Sequence, residues 1–177
     1  EVCLEACQAA KEIGVNVSCD LNFRKNLWTS AEAKETMTKL MPYVDILIAN
    51  EEDAEKVFGI KAENTNVEAG SLDVEDYKAV ADKLASSFGF EMVAITLRES
   101  ISASDNGWSG ILYDGTQFYQ GPNYMIRIVD RVGGGDSFCA GLIYSLISGY
   151  EPQEAINFAV AASALKHTIE GDFNVVD

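Results

Sequence analysis

A chain of 177 residues that is 47% hydrophobic and 23% charged has the composition of a globular domain, and at this size roughly 70% of the unfolded surface can be buried without disulfides or a structural metal. The 28 acidic residues outnumber the 13 basic ones and leave a net charge of -15, which repels a polyphosphate backbone and an anionic membrane surface, so neither nucleic acid nor membrane is expected as a partner. No apolar run reaches the roughly 18 residues of a transmembrane helix, and Glu1 to Lys11 lack the basic-then-apolar order of a signal peptide, so a soluble, cytoplasmic protein is expected.

Glu1 is not an initiator Met, and Val2, Leu4, Ala6, Ala9 and Ala10 already follow helical spacing, so the chain reads as beginning inside a domain. A strand over Val15–Cys19 is followed by a helix over Ala31–Met41, whose start carries the capping-box pair Thr29 and Glu32. Next come a strand over Ile46–Ala49 and a short helix over Glu51–Phe58, with Asn50 as its N-cap. Lys61 to Leu72 has no sustained periodicity and reads as a surface connection. Val74, Tyr77, Val80, Ala81, Leu84, Ala85 and Phe88 then fall on one face of an amphipathic helix. After it we expect strands over Met92–Leu97, Trp108–Tyr113, Gln117–Gln120 and Met125–Val129, with Asp114-Gly115 as a tight hairpin turn. Helices over Ser137–Ser148 and Pro152–His167 are apolar nearly all round and belong in the interior.

Strands alternating with helices predict one α/β domain over residues 1–177, with a mainly parallel sheet covered by helices on both faces and an antiparallel hairpin. Cys3, Cys7, Cys19 and Cys139 form no C-x-x-C pair and His167 is the sole histidine, so we expect reduced, mostly buried thiols. Cys139 falls in an apolar helix and reads as a core thiol rather than half of a Cys–His couple.

In such sheets ligands gather at the carboxyl ends of the strands. Polar residues recur there: Asp20, Asn22 and Arg24; Asn50 to Asp53; Arg98 to Ser100; and Asp130 to Asp136. Each alone is explained as a helix cap or solvated loop residue. The run Gly133-Gly134-Gly135 is different, because three successive glycines cost backbone entropy at every position. Bare amides leading into a helix N-terminus suit an anion such as phosphate. Asp136 would oppose that anion unless it accepts a proton from an attacking hydroxyl, which is the logic of phosphoryl transfer. No Walker loop and no G-x-G-x-x-G follows the first strand, which disfavours P-loop and dehydrogenase readings.

Asp130 to Asp136 resembles the D-T-x-G-A-G-D signature of the ribokinase-like (PfkB) carbohydrate kinases. Asp20-Leu21-Asn22-Phe23-Arg24-Lys25-Asn26-Leu27-Trp28 is similar to the D-x-N-x-R-x-x-L-W segment of the 2-keto-3-deoxygluconate kinases in that family. Asn50 to Asp53 resembles the N-x-x-E stretch, and Ala94 to Ser100 resembles the strand and loop over the nucleotide.

The resemblance implies ATP-dependent phosphorylation of 2-keto-3-deoxygluconate to its 6-phosphate, with fructokinase, ribokinase and a non-catalytic nucleotide-binding module as alternatives. It implies Asp136 as base, the amides of Gly133, Gly134 and Gly135 as anion hole, and Arg24, Asp136 and Asp172 as substrate contacts. ATP would meet Asn22, Arg24, Asn50, Leu97, Arg98, Ser100, Ala103, Gly133 and Gly135. Mg2+ would be held largely through water near Asn50, Glu52 and Asp53, and Asp130 stands where some relatives bind a monovalent cation such as K+. Arg131 and Gly134 replace the usual Thr and Ala, which is expected to change the charge beside the loop and loosen its backbone; Asp53 replaces the Glu of N-x-x-E.

The resemblance also implies that the lid-bearing N-terminal half and the final strand and helix lie outside this chain, which is then the nucleotide-binding portion. Exposed sheet edges and little turnover are expected of the isolated chain, and a homo-oligomer of the intact protein.

Overall fold

The computed structural model describes residues 1–50, 52–61 and 74–175. The expected surface connection over Lys61 to Leu72 lies, apart from Lys61, outside the described residues, as does Glu51. The described strands form a six-stranded mixed sheet, flanked by helices, in the order β1-β2-β3-β4-β5, with β6 paired to β4. The chain divides into two compact units: residues 1–61 with Val74–Ile95 and Tyr113–Gln117, and Thr96–Leu112 with 118–175.

In the first unit, α1 (Val2–Glu12) leads to β1 (Ser18–Asp20), shorter than the expected Val15–Cys19. The amide of Val17 is diverted to the Asp45 carboxylate at 2.8 Å, and Lys11 pairs with the other oxygen of that nearly buried aspartate. The ladder therefore begins only at Ser18, which pairs with Ile46 in parallel register with β2 (Ile46–Asn50).

Parallel neighbours need a crossover. It is supplied by α2 (Ser30–Leu40) and a single 3-10 turn at Met41–Tyr43. Thr29 caps α2 as expected: its hydroxyl accepts the Glu32 amide at 3.3 Å, and its own amide donates to Glu32 Oε2 at 2.8 Å. The Thr29 amide and hydroxyl, both donating to Glu32 Oε2, hold its carboxyl below the usual range.

The helix after β2, α3, runs over Asp53–Phe58 and ends on Gly59. The longer α4 (Val74–Phe88) buries Tyr77, Val80, Ala81, Leu84 and Ala85, the stripe its spacing foretold. Phe58 and Phe88 stack with centroids 4.7 Å apart.

In the second unit, β3 (Met92–Ser100, of which Met92–Ile95 belongs to the first unit) outruns the expected Met92–Leu97. Residues 101–104 return the chain to β4 (Asp105–Tyr113), with the Ile101 and Ser102 amides on the Asp105 carbonyl. The expected Asp114-Gly115 turn is present: Asp114 Oδ1 accepts the amides of Thr116 and Gln117 at 2.9 and 2.8 Å. It leads into β5 (Phe118–Gln120). β6 (Tyr124–Arg127) runs antiparallel to β4, with Asp105 opposite Arg127.

Helices α5 (Gly134–Ile147) and α6 (Pro152–His167) cross closely at Gly141, where an added Cβ would lie 3.0 Å from the Ala159 Cα. Phe138, Leu142, Ile156, Ala159 and Val160 are fully buried. The expectation that both helices are interior holds for one side only, since Tyr144, Ile147, Phe158 and Leu165 are exposed. None of the four cysteines is in a disulfide, but Cys3 is exposed and Cys7, Cys19 and Cys139 are half-buried, so the expectation of mostly buried thiols is corrected.

Removing the α2 cap measures how much local chemistry fixes the crossover. Thr29→Ala is expected to lower unfolding free energy by about 1 kcal/mol in urea titrations, whereas Thr29→Asn or Thr29→Asp should cost only a few tenths.

Candidate functional site

The glycine run enters α5 earlier than the spacing suggested. The helix begins at Gly134 with Gly133 as N-cap, not at Ser137 behind a loop, and Asp136 therefore occupies the first turn rather than the cap. Gly133 has φ 79°, left-handed backbone that a side chain resists. The first amide bonded into the helix is that of Ser137, donating to the Gly133 carbonyl at 2.9 Å. The Gly135 and Asp136 amides thus have no helical acceptor, and both residues are exposed. An anion arriving at this end would meet free N–H donors and the positive end of the helix dipole.

The last turn of α6 fixes the other side of this loop. A Cβ on Gly134 would lie within 2.4 Å of the His167 Cε1, and one on Gly133 the same distance from the Asp172 carbonyl oxygen. Gly134 is buried and its carbonyl accepts the Ser163 hydroxyl at 2.7 Å. The replacement of Ala by Gly at 134 therefore does not loosen the backbone: the histidine ring fills the volume a methyl would take.

His167 itself packs on the Trp108 indole with centroids 4.5 Å apart, and its Nδ1 lies 2.7 Å from the Ser163 carbonyl. An acceptor carbonyl requires that Nδ1 carry the proton. Burial, against that bond and with help from the charges of Arg131, Lys166 and Arg98, holds the imidazole below its usual pKa.

Asp130 opens the run. Its Oδ1 accepts the Val132 amide and its Oδ2 the Gly171 amide, both at 3.0 Å, and these bonds hold its carboxyl below the usual range. Asp172 is exposed, with its backbone carbonyl against Gly133. Arg131 reaches the Ala103 carbonyl at 3.1 Å.

Arg98, Glu99 and Ser100 are strand residues of β3, not the loop expected, because the polar run continues in the ladder. Leu97 is buried as a whole residue within β3 and is not at an accessible surface, against the expectation that it meets ATP; Ser100 and Ala103 are exposed. Lys166 and His167, which underlie the glycines, escaped the sequence reading because cations in the last turn of a helix are common dipole partners.

The first unit holds its own cluster at the carboxyl ends of β1 and β2. Asn22 is exposed with φ 39°, left-handed backbone, and its amide donates to Asp20 Oδ1 at 3.2 Å. Arg24 is exposed, with its guanidinium donating to the Phe23 carbonyl at 3.4 Å. Asn50 Oδ1 accepts the amides of Glu52 and Asp53 at 2.8 and 2.9 Å, but α3 starts at Asp53 rather than Glu51, so Glu52 and not Asn50 holds the N-cap position.

Asp53 is only 4% exposed and accepts the Phe23 amide at 3.2 Å. Burial outweighs the Phe23 and Asn50 bonds and raises its pKa to about 6, with Asp20 adding repulsion and Arg24 opposing it. The Asn50 oxygen is thus committed to amides and the Asp53 carboxylate is buried, which leaves Glu52 as the exposed carboxylate of the three. Among the described residues no group of three His, Cys, Asp or Glu side chains could hold a metal by itself.

Residues 1–175 match the pattern of the pfkB family carbohydrate kinases. The crystal structure of 2-dehydro-3-deoxygluconokinase from Thermotoga maritima is similar at 49% identity and a TM-score of 0.89, over 97% of this chain and 50% of that one. A pfkB family carbohydrate kinase from Listeria grayi is similar at 34% identity and a TM-score of 0.83, over 98% of this chain and 51% of that one. The 2-dehydro-3-deoxygalactonokinase of Haloferax volcanii is 32% identical over 172 residues, 97% of this chain and 48% of its own length. The chain spans about half the length of these relatives.

Two expectations follow from the site's packing and charge. Gly134→Ala should cost about 1–3 kcal/mol of stability, read by chemical denaturation, and most of that cost should disappear in the double variant Gly134→Ala with His167→Ala if the clash is with the ring. Asp53 has a folded pKa above its unfolded value, so the stability it contributes is present below the usual carboxylate pKa and lost as pH rises through about 6. Asp53→Asn should therefore be more stable than the parent at pH 7, by up to about 3 kcal/mol, with the difference vanishing near pH 4.

Proposed function

The chain belongs to the pfkB family of carbohydrate kinases, and from that premise we propose that it serves ATP-dependent phosphorylation of a 2-keto-3-deoxy sugar acid, 2-keto-3-deoxygluconate, at its terminal hydroxyl. The observation that carries this reading is the N-terminus of α5, where an exposed carboxylate at Asp136 adjoins amides without helical acceptors. A carboxylate turned into packed hydrocarbon would have no access to a substrate; Asp136 is open to solvent.

In the reaction the sugar hydroxyl oxygen bonds to the γ-phosphorus of ATP, the bond from that phosphorus to the bridging oxygen breaks, and ADP leaves. Asp136 takes the hydroxyl proton. Of the expected anion-hole amides, that of Gly134 is held by the Arg131 carbonyl at 3.4 Å, so those of Gly133 and Gly135, joined by that of Asp136, receive the charge that gathers on the transferring group, and the helix dipole adds to them. Because the loop is braced by His167 and Asp172, these donors are held in place before the substrate arrives.

The roles of Asn22, Arg24, Asn50, Arg98, Ser100, Ala103 and Asp172 rest on the family likeness. Arg24 is exposed and carries a planar fork suited to the sugar acid's carboxylate. A magnesium ion would neutralise the ATP phosphates, and the donor set here fits one bound mainly through those phosphates and water, with Glu52 as the accessible carboxylate. The sugar acid is favoured over fructose or ribose by the Asp20 to Trp28 segment and by the likeness to the Thermotoga maritima structure.

The test is a substrate panel on the intact kinase. It should phosphorylate 2-keto-3-deoxygluconate in preference to fructose and ribose, and Asp136→Asn should lower kcat by roughly 10^2 to 10^4 while nucleotide binding, followed by calorimetry, is retained. A variant with the parent turnover number would remove Asp136 from the role of base.

A further inference from the structure

Lys166 has no part in the chemistry described so far, yet its side chain is 0% exposed. Lysine is seldom buried fully unless paired, because its ammonium loses several kcal/mol of hydration. Among the described residues no carboxylate forms an ion pair with it; its Nζ donates to the Ile169 carbonyl at 3.1 Å. Its Cε would lie 3.3 Å from a Cβ on Gly133, so the side chain passes directly beneath the first glycine of the loop. The side chain therefore bridges the segment Asp130–Asp136, which its stem packs beneath, and the turn that follows α6, which its ammonium bonds. Asp130 joins the same two pieces from the other side, through the Val132 and Gly171 amides.

A monovalent cation at Asp130 does not fit this arrangement. Both carboxylate oxygens already accept amides, and the Ile169 carbonyl already accepts a cationic donor. A second cation would also be repelled by the ammonium, which no carboxylate neutralises at contact. The Lys166 charge, after the two amides, is among the influences that hold the Asp130 carboxyl low, which agrees with an ammonium lying close to it.

We propose that the Lys166 ammonium is the resident cation of the glycine loop, standing in place of an exchangeable monovalent ion and holding the segment Asp130–Asp136 against the turn after α6. This rests on the kinase reading for its effect on turnover, though not for its effect on ion binding. Lys166 is a positioning residue, since it reaches the phosphoryl group only through the loop. Its charge lies at the end of α6, beneath the loop that carries the outward amides, where it adds to the attraction for an anion.

The experiment compares the intact kinase in potassium, sodium, ammonium and tetramethylammonium chloride at equal ionic strength. The parent should turn over at the same rate in all four within about twofold, and activation by potassium of about fivefold or more over tetramethylammonium overturns the proposal. Lys166→Ala should lower kcat by about 10^2-fold with little change in KM, and potassium or ammonium ions should restore at least about tenfold of that loss by occupying the space left. Lys166→Met, neutral but of similar length, should lose the same activity and not be rescued. Parent-like kcat in both variants, with only a lower melting temperature, would assign Lys166 a purely structural role and overturn the proposal.

Melting temperature in the same four salts supplies a readout that needs no turnover. The parent should be indifferent to the choice of cation, and Lys166→Ala should be stabilised by potassium in proportion to the logarithm of its concentration. Specific stabilisation of the parent by potassium overturns the proposal even if no sugar is phosphorylated, whereas absent turnover with cation-indifferent melting sinks the kinase reading alone. Should Lys166→Ala fail to fold, the comparison of salts on the parent still decides.

Discussion

The loop at the start of α5 depends on a contact that leaves no room for side chains. The His167 ring occupies the space beside Gly134, and the Asp172 carbonyl the space beside Gly133. Two glycines in succession would ordinarily make the backbone more mobile. Here the missing methyl groups let the end of α6 approach until Ser163 bonds the Gly134 carbonyl and the Val129 amide bonds the His167 carbonyl at 2.8 Å. The glycines serve packing on one side and access on the other. An anion cradle needs both, because donors that must reorganise around a ligand lose much of their advantage over water.

The electrostatics near that loop run against the composition of the chain. A net charge of -15 describes the whole molecule, yet Arg98, Arg131 and Lys166 all act on His167 beneath the glycines. The histidine answers by staying neutral, which spares the loop another buried charge. In the first unit the opposite choice is made. Asp53 is buried against its own ionisation, and its pKa near 6 means that a carboxylate there is maintained at neutral pH at some expense in stability. Strained groups of this kind are common where a site needs a charge in a place the fold alone would not choose.

Local chemistry was legible in the residues. The Thr29 and Glu32 pair, the centre of the α4 stripe and the Asp114 turn stand as their spacing implied, because each is decided by neighbours within four positions. The errors arose where distant partners decide. Val15 to Val17 read as strand but the Val17 amide goes to Asp45; Arg98 to Ser100 read as loop because they are polar, yet the ladder carries them. The start of α5 was displaced by three residues because glycines argue against helix, and only the left-handed Gly133 marks the true cap. The glycine run and Asp136 could be singled out from sequence alone. Lys166 and His167 could not, since nothing in residues some thirty positions later announces that they will lie underneath.

The sheet's margins carry one more consequence. Among the described residues its order ends at β1 on one side and β5 on the other, each three residues long, and the additional β6 has four. Strands so short offer a passing chain few unpaired amides and carbonyls to extend, and mutual repulsion between strongly anionic molecules discourages the attempt further. For the described strands, stacking by edge-to-edge addition is therefore disfavoured by geometry and by charge at once.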